Sequence, residues 1–437
     1  MTYSIARNRE ANSEVNKIYE EDRAIHDWYR FVLSFPPHLV RTYLQRFELQ
    51  SHHRVLDPFC GTGTVLVECK RLGIPSIGID ANPMAYVASQ TKVDWTPEPQ
   101  QLLTHALSIA EATTIALQAE GIEDESFFHR AEDTQLSQLT SLPEDQFHLL
   151  LTNSISPLPL HKTLILLENI ERYRDDRFYS HERLALTKAL VHTISNLRFG
   201  PEVGIGPAKY DAPVVASWLR NIRTMVKDIA LMQQKEHADS KVFCADARQL
   251  SQVLTPNSID AVITSPPYPN EKDYTRTTRL ESVILGLLNN KTDLQSLKKG
   301  LLRSNTRNVY KGDADDQWVS SHREIQGIAQ AIEARRIELD KTSGFERLYA
   351  KVTTLYFGGI ARHLASLYPL LRPGAQLAYV LGDQASYLQV MIPTGRLVAE
   401  IAQSLGYELV GIDLFRTRFA TATKVQLREE VVVLQRK

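Results

Sequence analysis

The sequence predicts an α/β protein built on a doubly wound, Rossmann-like sheet that two largely helical insertions interrupt. Three observations carry that expectation. Val55-Leu56-Asp57 is a short apolar run ending in an acid and a glycine-rich turn. A helical stretch, Val65 to Arg71, and a second run, Ile77-Gly78-Ile79-Asp80, follow at once. Strand, glycine turn, helix, strand and acid in that order make the opening βαβ unit of a doubly wound sheet.

The elements follow in chain order. Residues 1–24 are charged and read as a lead-in. Trp28 to Phe47 reads as a helix entered through Pro36-Pro37, with Leu39, Val40, Tyr43 and Leu44 on one face. After the βαβ unit, Leu102 to Leu117 and Val214 to Met232 carry apolar residues at spacings of three and four, which predicts helices. Between them lies an irregular segment with Phe199-Gly200-Pro201 and Gly204-Ile205-Gly206. Strands return at Val242-Phe243-Cys244 and Ala261-Val262-Ile263. Val352 to Leu371 predicts a helix closed by Arg372-Pro373-Gly374; Leu377 to Leu381 predicts a buried strand, and Leu397 to Leu405 a helix. Leu409 to Leu414 and Glu430 to Leu434 predict the last strands. The expected organisation is therefore residues 1–90 as lead-in and first half of the sheet, and 236–275 with 346–437 as its second half. Residues 91–235 and 276–345 are insertions, where specificity belongs.

The 437 residues carry a net charge of −1, with 43% hydrophobic and 23% charged positions. That composition is ordinary for a globular protein and gives no global positive field, so contact with a polyanion would need a local basic patch. No uncharged apolar run approaches the ~18 residues a membrane span needs, and the expected location is cytoplasmic. Cys60, Cys69 and Cys244 fit neither a disulfide framework nor zinc spacing and are expected to be reduced, buried thiols.

Two constellations carry chemistry. In Asp57 to Thr64 (D-P-F-C-G-T-G-T), Gly61 and Gly63 let the backbone turn sharply and approach a ligand, and the following helix offers free N–H groups. Asp80 follows 23 residues after Asp57, where an acid accepts hydrogen bonds from ribose hydroxyls. The turn lacks the G-x-G-x-x-G of pyrophosphate binders, and Asp57 with Phe59 suits a cationic ligand. In Thr264 to Tyr268 (T-S-P-P-Y), two prolines fix the backbone at a strand tip. The Ser265 hydroxyl and Pro266 carbonyl are then acceptors, and Tyr268 offers an aromatic face. Two acceptors gripping the N–H bonds of an aromatic amino group localise its lone pair. The two strand tips are expected to share one cleft.

These residues resemble the amino-group DNA methyltransferases, the adenine-N6 and cytosine-N4 methylases. The resemblance implies a class I S-adenosylmethionine-dependent methyltransferase sheet with Ser265, Pro266, Pro267 and Tyr268 as the catalytic turn. Ser at its first place is the form typical of the cytosine-N4 branch. S-adenosyl-L-methionine is the implied cofactor, with Asp57, Phe59, Gly61, Gly63, Thr64 and Asp80 around it. Phe35-Pro36-Pro37 resembles the segment over its methionine end, with Pro37 among its contacts, and Asp246 resembles the acid at the adenine amino group. Residues 28–90, 241–275 and 350–436 are covered. The implied activity is site-specific DNA (cytosine-N4) methylation with base flipping; adenine N6 and the company of a cognate restriction endonuclease stay open.

The chain also departs from that family. Many cytosine-N4 enzymes place the catalytic motif before the cofactor motif, the reverse of Asp57 and Ser265 here. Target recognition is expected from the insertions. Lys291 to Lys311 holds six basic residues against Asp293 alone: Lys291, Lys298, Lys299, Arg303, Arg307 and Lys311. Of these Lys298, Lys299, Arg303 and Arg307, together with Arg276 and Arg279 after the catalytic turn, are the candidate DNA contacts, with a solvated helix face as the alternative for the stretch. D-P-F-C-G-T-G also resembles the turn of tRNA and rRNA guanine-N2 methyltransferases, which keeps an RNA substrate open, and a non-catalytic nucleic-acid-binding relative is the other alternative. His52-His53 read as exposed, Trp95, Trp218 and the aromatics of Tyr349 to Phe357 as core, and Asp313, Asp315 and Asp316 as a polar loop.

Overall fold

A computed structural model describes residues 16–31, 34–124, 139–199, 203–234, 237–270, 272–419 and 426–437. The first fifteen residues of the expected lead-in and Gly200-Pro201 lie outside the described residues. Among the described residues nine strands form, in chain order: β1 Val55–Asp57, β2 Ser76–Asp80, β3 Leu197–Phe199, β4 Val203–Ile205, β5 Ser240–Cys244, β6 Ile259–Thr264, β7 Leu371–Gly382, β8 Tyr407–Phe419 and β9 Gln426–Arg436. Seven of them make one sheet in the order β5-β2-β1-β6-β7-β9-β8, while β3 and β4 pair as a separate antiparallel ribbon.

Within that sheet β5, β2, β1, β6 and β7 run parallel, and β9 is antiparallel to both β7 and β8. Counting only its own strands, the sheet reads 3-2-1-4-5-7-6 with the last-but-one position reversed. That is the Rossmann-like methyltransferase fold. The chain order reverses direction across β1 and β6, and α/β sheets bind ligands at the carboxyl ends of strands at such a switch point.

Alternate residues of each strand feed opposite layers. Leu56, Ile79 and Val262 pack with Tyr356, Phe357 and Ile360 of the helix Tyr349–Leu367. Val55, Ala261 and Ile263 pack with Leu39, Val40 and Tyr43 of the helix Pro37–Arg46. Burying both faces is what parallel strands require, and each such aliphatic side chain contributes about 1.5–3 kcal/mol.

Neither insertion stands apart. Leu102, Ile109, Leu184, Trp218 and Ile222 of the first share a core with Leu66, Val67, Met84 and Ala88, which flank the sheet. Leu302, Val319, Ile325 and Ile332 of the second join the layer under Tyr356 and Ile360. Among the described residues no helix is long and apolar enough to cross a membrane.

Three expectations change. The helix expected from Trp28 spans only Pro37–Arg46, because Pro36 is extended (φ −80°, ψ 152°) and Pro37 takes the first helical position. The helix expected to reach Leu371 ends at Leu367, and Arg372-Pro373-Gly374 lies inside the long strand β7 rather than closing a helix. The irregular segment around Gly204 forms the ribbon β3–β4.

Candidate active site

Five strand tips and the second insertion converge on one cleft of about 250 Å³. Its floor is the turn between β1 and the helix Thr64–Arg71. Gly61 (φ +51°) and Gly63 (φ +83°) both take the left-handed backbone that this turn needs. Gly63 is doubly constrained, since a Cβ there would sit 3.0 Å from Ser89 Cβ. Phe59, Gly61 and Thr64 line the cleft, whereas Gly63 stands behind the lining.

Asp80, at the tip of β2, accepts from Gly61 N at 2.9 Å and from Asn82 N at 2.8 Å, one bond to each carboxylate oxygen. Each oxygen keeps a lone pair for a ligand hydroxyl. Withdrawal from water pushes this acid up to about 6. Asp57, at the tip of β1, is 1% exposed and lies behind the wall. Its Oδ1 accepts from Thr264 Oγ1 at 2.6 Å and Phe59 N at 3.2 Å, while Oδ2 is buried without a partner. Burial pushes Asp57 up to about 7. A buried orphan oxygen beside a half-buried acid is the chemistry a cationic, hydroxyl-bearing ligand would complete, so the residues fit a cofactor of that kind.

Thr264 ends β6, which pairs with β1 in parallel. The next four residues, Ser265, Pro266, Pro267 and Tyr268, all line the cleft. Ser265 Oγ donates to Val380 O at 3.2 Å and also meets the Tyr268 hydroxyl, so one lone pair remains to accept. The Tyr268 ring lies against Gly382 at the end of β7, where a Cβ would come within 2.9 Å of Tyr268 Cε2. Burial, with Glu429 beside it, raises the Tyr268 hydroxyl above its ordinary range. The tips of β1 and β6 thus face the same space.

The remaining expected contacts divide. Asp246 lines the cleft just past β5, but both its oxygens also accept from Arg248, at 2.9 Å to Nε and 2.7 Å to Nη2. Pro37 is buried in the first turn of its helix, and its neighbours Ser34 and Phe35 reach the cleft instead.

Among the basic candidates, Arg276 is half-exposed and makes no side-chain hydrogen bond among the described residues. Arg279 differs: it is 7% exposed and its guanidinium donates to Leu149 O and Thr275 Oγ1. Arg303 is 3% exposed and grips Asp313 with Nε and Nη2, both at 2.8 Å. Lys298 pairs with Asp273 at 3.1 Å. Arg279, Arg303 and Lys298 are therefore internal braces rather than outward contacts, whereas Lys299 and Arg307 are exposed.

The acids expected in a polar loop are paired: Asp313 with Arg303, Asp315 with Arg248 and Arg362, and Asp316 with Lys351. Among the described residues no group of His, Cys, Asp or Glu is placed to hold a metal ion. Cys60 and Cys69 are buried, Cys244 exposed. His52 is exposed, and Trp95, Trp218, Tyr356 and Phe357 are core.

Residues 4–90 match a family model described as DNA methylase. Over that segment the chain is similar to DNA methylases. It is 25% identical over 445 aligned positions to the Type II methyltransferase M.BsoBI of Geobacillus stearothermophilus, covering 95% of this chain and 86% of that protein. It is 22% identical to the Type II methyltransferase M.AvaI of Nostoc sp. (strain PCC 7120), covering 87% and 79%. The Type II methyltransferase M.MjaII of Methanocaldococcus jannaschii is 35% identical over 74 residues, 17% of this chain and 14% of that one. The crystal structure of TrmN from Thermus thermophilus overlaps with a TM-score of 0.28 at 13% identity, covering 92% of this chain and 49% of that one. That score decides nothing, and the fold rests on strand order.

The chain also builds its cleft from residues that motif reading does not reach. Phe31, Arg248, Asn308, Tyr274 and Arg416 all line it. Gly300, Leu301 and Leu302 bring the second insertion onto the cleft. Arg248 is the joint: besides Asp246, it binds Asp315 Oδ2 at 2.6 Å and Lys299 O at 2.9 Å.

Proposed function

We propose that this chain transfers a methyl group from S-adenosyl-L-methionine to the exocyclic amino group of a DNA base, cytosine N4. The observation that carries this reading is the 2.6 Å tie between Asp57 and Thr264, which fixes a cofactor-type turn and a Ser-Pro-Pro-Tyr turn at adjacent strand tips in one cleft.

When bound, the cofactor supplies an electrophilic methyl group on a sulfonium, so the protein's part is positioning and electrostatics. Asp80 accepts from the ribose hydroxyls, and Asp57 with its unpartnered oxygen provides negative charge behind the cationic end. Asp246, steadied by Arg248, faces the adenine. Pro37 sets the loop over the methionine end by fixing where its helix begins, and Ser34 and Phe35 make the contacts.

On the base side, Tyr268 stacks on the ring while Ser265 Oγ and the Pro266 carbonyl accept the two amino N–H bonds. That draws the nitrogen lone pair out of the ring toward the methyl carbon. With S-adenosyl-L-methionine bound, the methyl would pass to this nitrogen as the C–S bonding pair stayed on sulfur, and the amino proton would leave to solvent. The duplex hides this nitrogen, so the base is flipped out at a cost of a few kcal/mol. Cys60 is no nucleophile: burial raises its thiol well above the ordinary range.

Arg276 meets the target strand next to the turn, with Lys299 and Arg307 further out on the second insertion. Ser265 supports cytosine, and the relatives' Type II designation supports a role beside a restriction endonuclease. Mass spectrometry of nucleosides from DNA and RNA, after incubation with enzyme and labelled cofactor, tests the reading. N4-methylcytosine in DNA is expected; N6-methyladenine, a methylated RNA nucleoside or no label would each overturn it.

A further inference from the structure

We propose that Arg416, oriented by Glu429, reads the acceptor edge of the flipped target base and makes the pocket selective for cytosine over adenine; this rests on the methyl-transfer reading above. The argument begins with strand register. Leu414 lies opposite Glu430 in the β8–β9 ladder, yet it is Arg416, not Phe415, that lies opposite Glu429. The extra residue is a β-bulge, a device that re-aims side chains. Without it Arg416 would point through the sheet to the other face. With it, Arg416 and Arg418 both share a face with Glu429.

That face borders the catalytic turn. Glu429 lies opposite Gly382 of β7, and a Cβ at Gly382 would meet Tyr268 Cε2 at 2.9 Å and Glu429 Cγ at 3.2 Å. The missing side chain lets the tyrosine ring and the glutamate stem occupy one place. Glu429, 7% exposed, takes Arg416 Nε on its Oε2, and Arg418 Nε stands 3.2 Å from its Oε1. Arg418 is further tied to Asp383 O at 3.3 Å. The Arg416 side chain is 19% exposed and lines the cleft. Neither of its Nη groups has a hydrogen-bond partner among the described residues.

Once Ser265 holds an amino group and Tyr268 the ring face, the pairing edge of the base points along the cleft. On cytosine that edge continues N3 then O2, two acceptors side by side. On adenine it continues N1 then a C–H. A guanidinium presents two parallel N–H donors, so cytosine satisfies both and adenine leaves one unmatched. Sites built to hydrogen-bond a particular group reject ligands lacking it by large factors.

The test starts by mapping the nucleotide that wild-type enzyme methylates. Arg416→Ala, with Arg416→Gln as a variant that keeps one donor toward Glu429, is then compared on the target duplex and on the same duplex with an abasic site at that nucleotide. The expected result for Arg416→Ala is a fall in kcat/KM of about 100-fold. Affinity for S-adenosyl-L-methionine stays unchanged, and the binding penalty disappears on abasic DNA. An equal penalty on both duplexes, with a flatter salt dependence, would make Arg416 a phosphate contact and overturn the proposal. A parallel loss of cofactor affinity would make it structural. If the mapped product is N6-methyladenine, the cytosine pocket falls while methyl transfer stands. If wild type labels no DNA base, both fall.

Discussion

Thr264 Oγ1 donates a 2.6 Å hydrogen bond to Asp57 Oδ1, joining the tips of two adjacent parallel strands 207 positions apart in sequence. Beyond it, among the described residues only the backbone N–H of Phe59 donates to this buried carboxylate. Thr264→Val keeps the shape and removes the donor. The expected cost is about 1–3 kcal/mol of stability, with weaker cofactor affinity because Asp57 then holds its proton more firmly. Denaturant unfolding and calorimetric titration measure these, and unchanged values in both would dismiss the tie.

The pH dependence has a definite sign. Asp80 and Asp57 are raised from 3.8 to about 6 and about 7. The folded protein without cofactor thus binds these protons more tightly than the unfolded chain does. The stability they contribute is fully present below 3.8 and is lost as pH rises through 6 and then 7. A cationic, hydroxyl-bearing cofactor favours the ionised acids and opposes that loss. The thermal shift it produces is therefore expected to grow between pH 5 and 7.5 as these acids ionise. A shift independent of pH would argue that neither acid meets the ligand.

Ser265→Ala and Tyr268→Ala separate chemistry from binding. Ser265 contributes an acceptor that matters as the amino nitrogen becomes nucleophilic, so its loss is expected to lower kcat by about 10²–10³-fold. Tyr268→Ala removes the stacking face and is expected to abolish transfer. Both should bind S-adenosyl-L-methionine within twofold of wild type, by comparison with the tenfold that a change of about 1.4 kcal/mol would bring. Normal turnover in either variant would reject the assigned turn.

Gly382→Ala tests the seat of Tyr268 without touching the ring itself. The added methyl would lie 2.9 Å from Tyr268 Cε2 and 3.2 Å from Glu429 Cγ, and one of them must move. Such overpacking costs about 1–3 kcal/mol, and the expected readout is a lower kcat with cofactor affinity retained. Unchanged kcat would mean that the ring is not held where the base stacks.

What was legible in the sequence follows how local each signal is. The turn at Asp57–Thr64 and the turn at Ser265–Tyr268 are short, proline- or glycine-coded pieces directly after apolar runs, and the structure puts both on one cleft. The helix Val214–Met232 was legible to the residue from its apolar spacing. The strands β8 and β9 run well beyond Leu409–Leu414 and Glu430–Leu434, because their ends carry charged residues that pair across the ladder, as Arg416 does with Glu429. A bulge leaves no composition signal, so the cleft-facing set Arg416 and Arg418 was invisible. Within the basic run Lys291–Lys311, charge alone does not separate the exposed Lys299 and Arg307 from Arg303 and Lys298, which pair with Asp313 and Asp273.

Arg248 carries the last prediction, because one guanidinium joins the segment after β5 to the second insertion through three partners. It binds Asp246 beside the cofactor space, Asp315 of the second insertion at 2.6 Å and the Lys299 carbonyl at 2.9 Å. Its side chain is 6% exposed, against 16% for Asp246 and 10% for Asp315. Removing one member of such a buried set leaves charges without a counterion and costs about 3–5 kcal/mol. Asp315 keeps Arg362 at 3.0 Å, which places Arg248→Met toward the lower end of that range. Asp246 keeps no comparable partner, so cofactor affinity is expected to fall along with stability. Arg248→Lys restores charge but not the two-pronged grip, and should recover stability more than affinity. Unfolding and cofactor titration on both variants decide the matter. If Arg248→Met loses stability while binding cofactor like wild type, the second insertion is latched to the sheet for packing alone, and Asp246 does not depend on it.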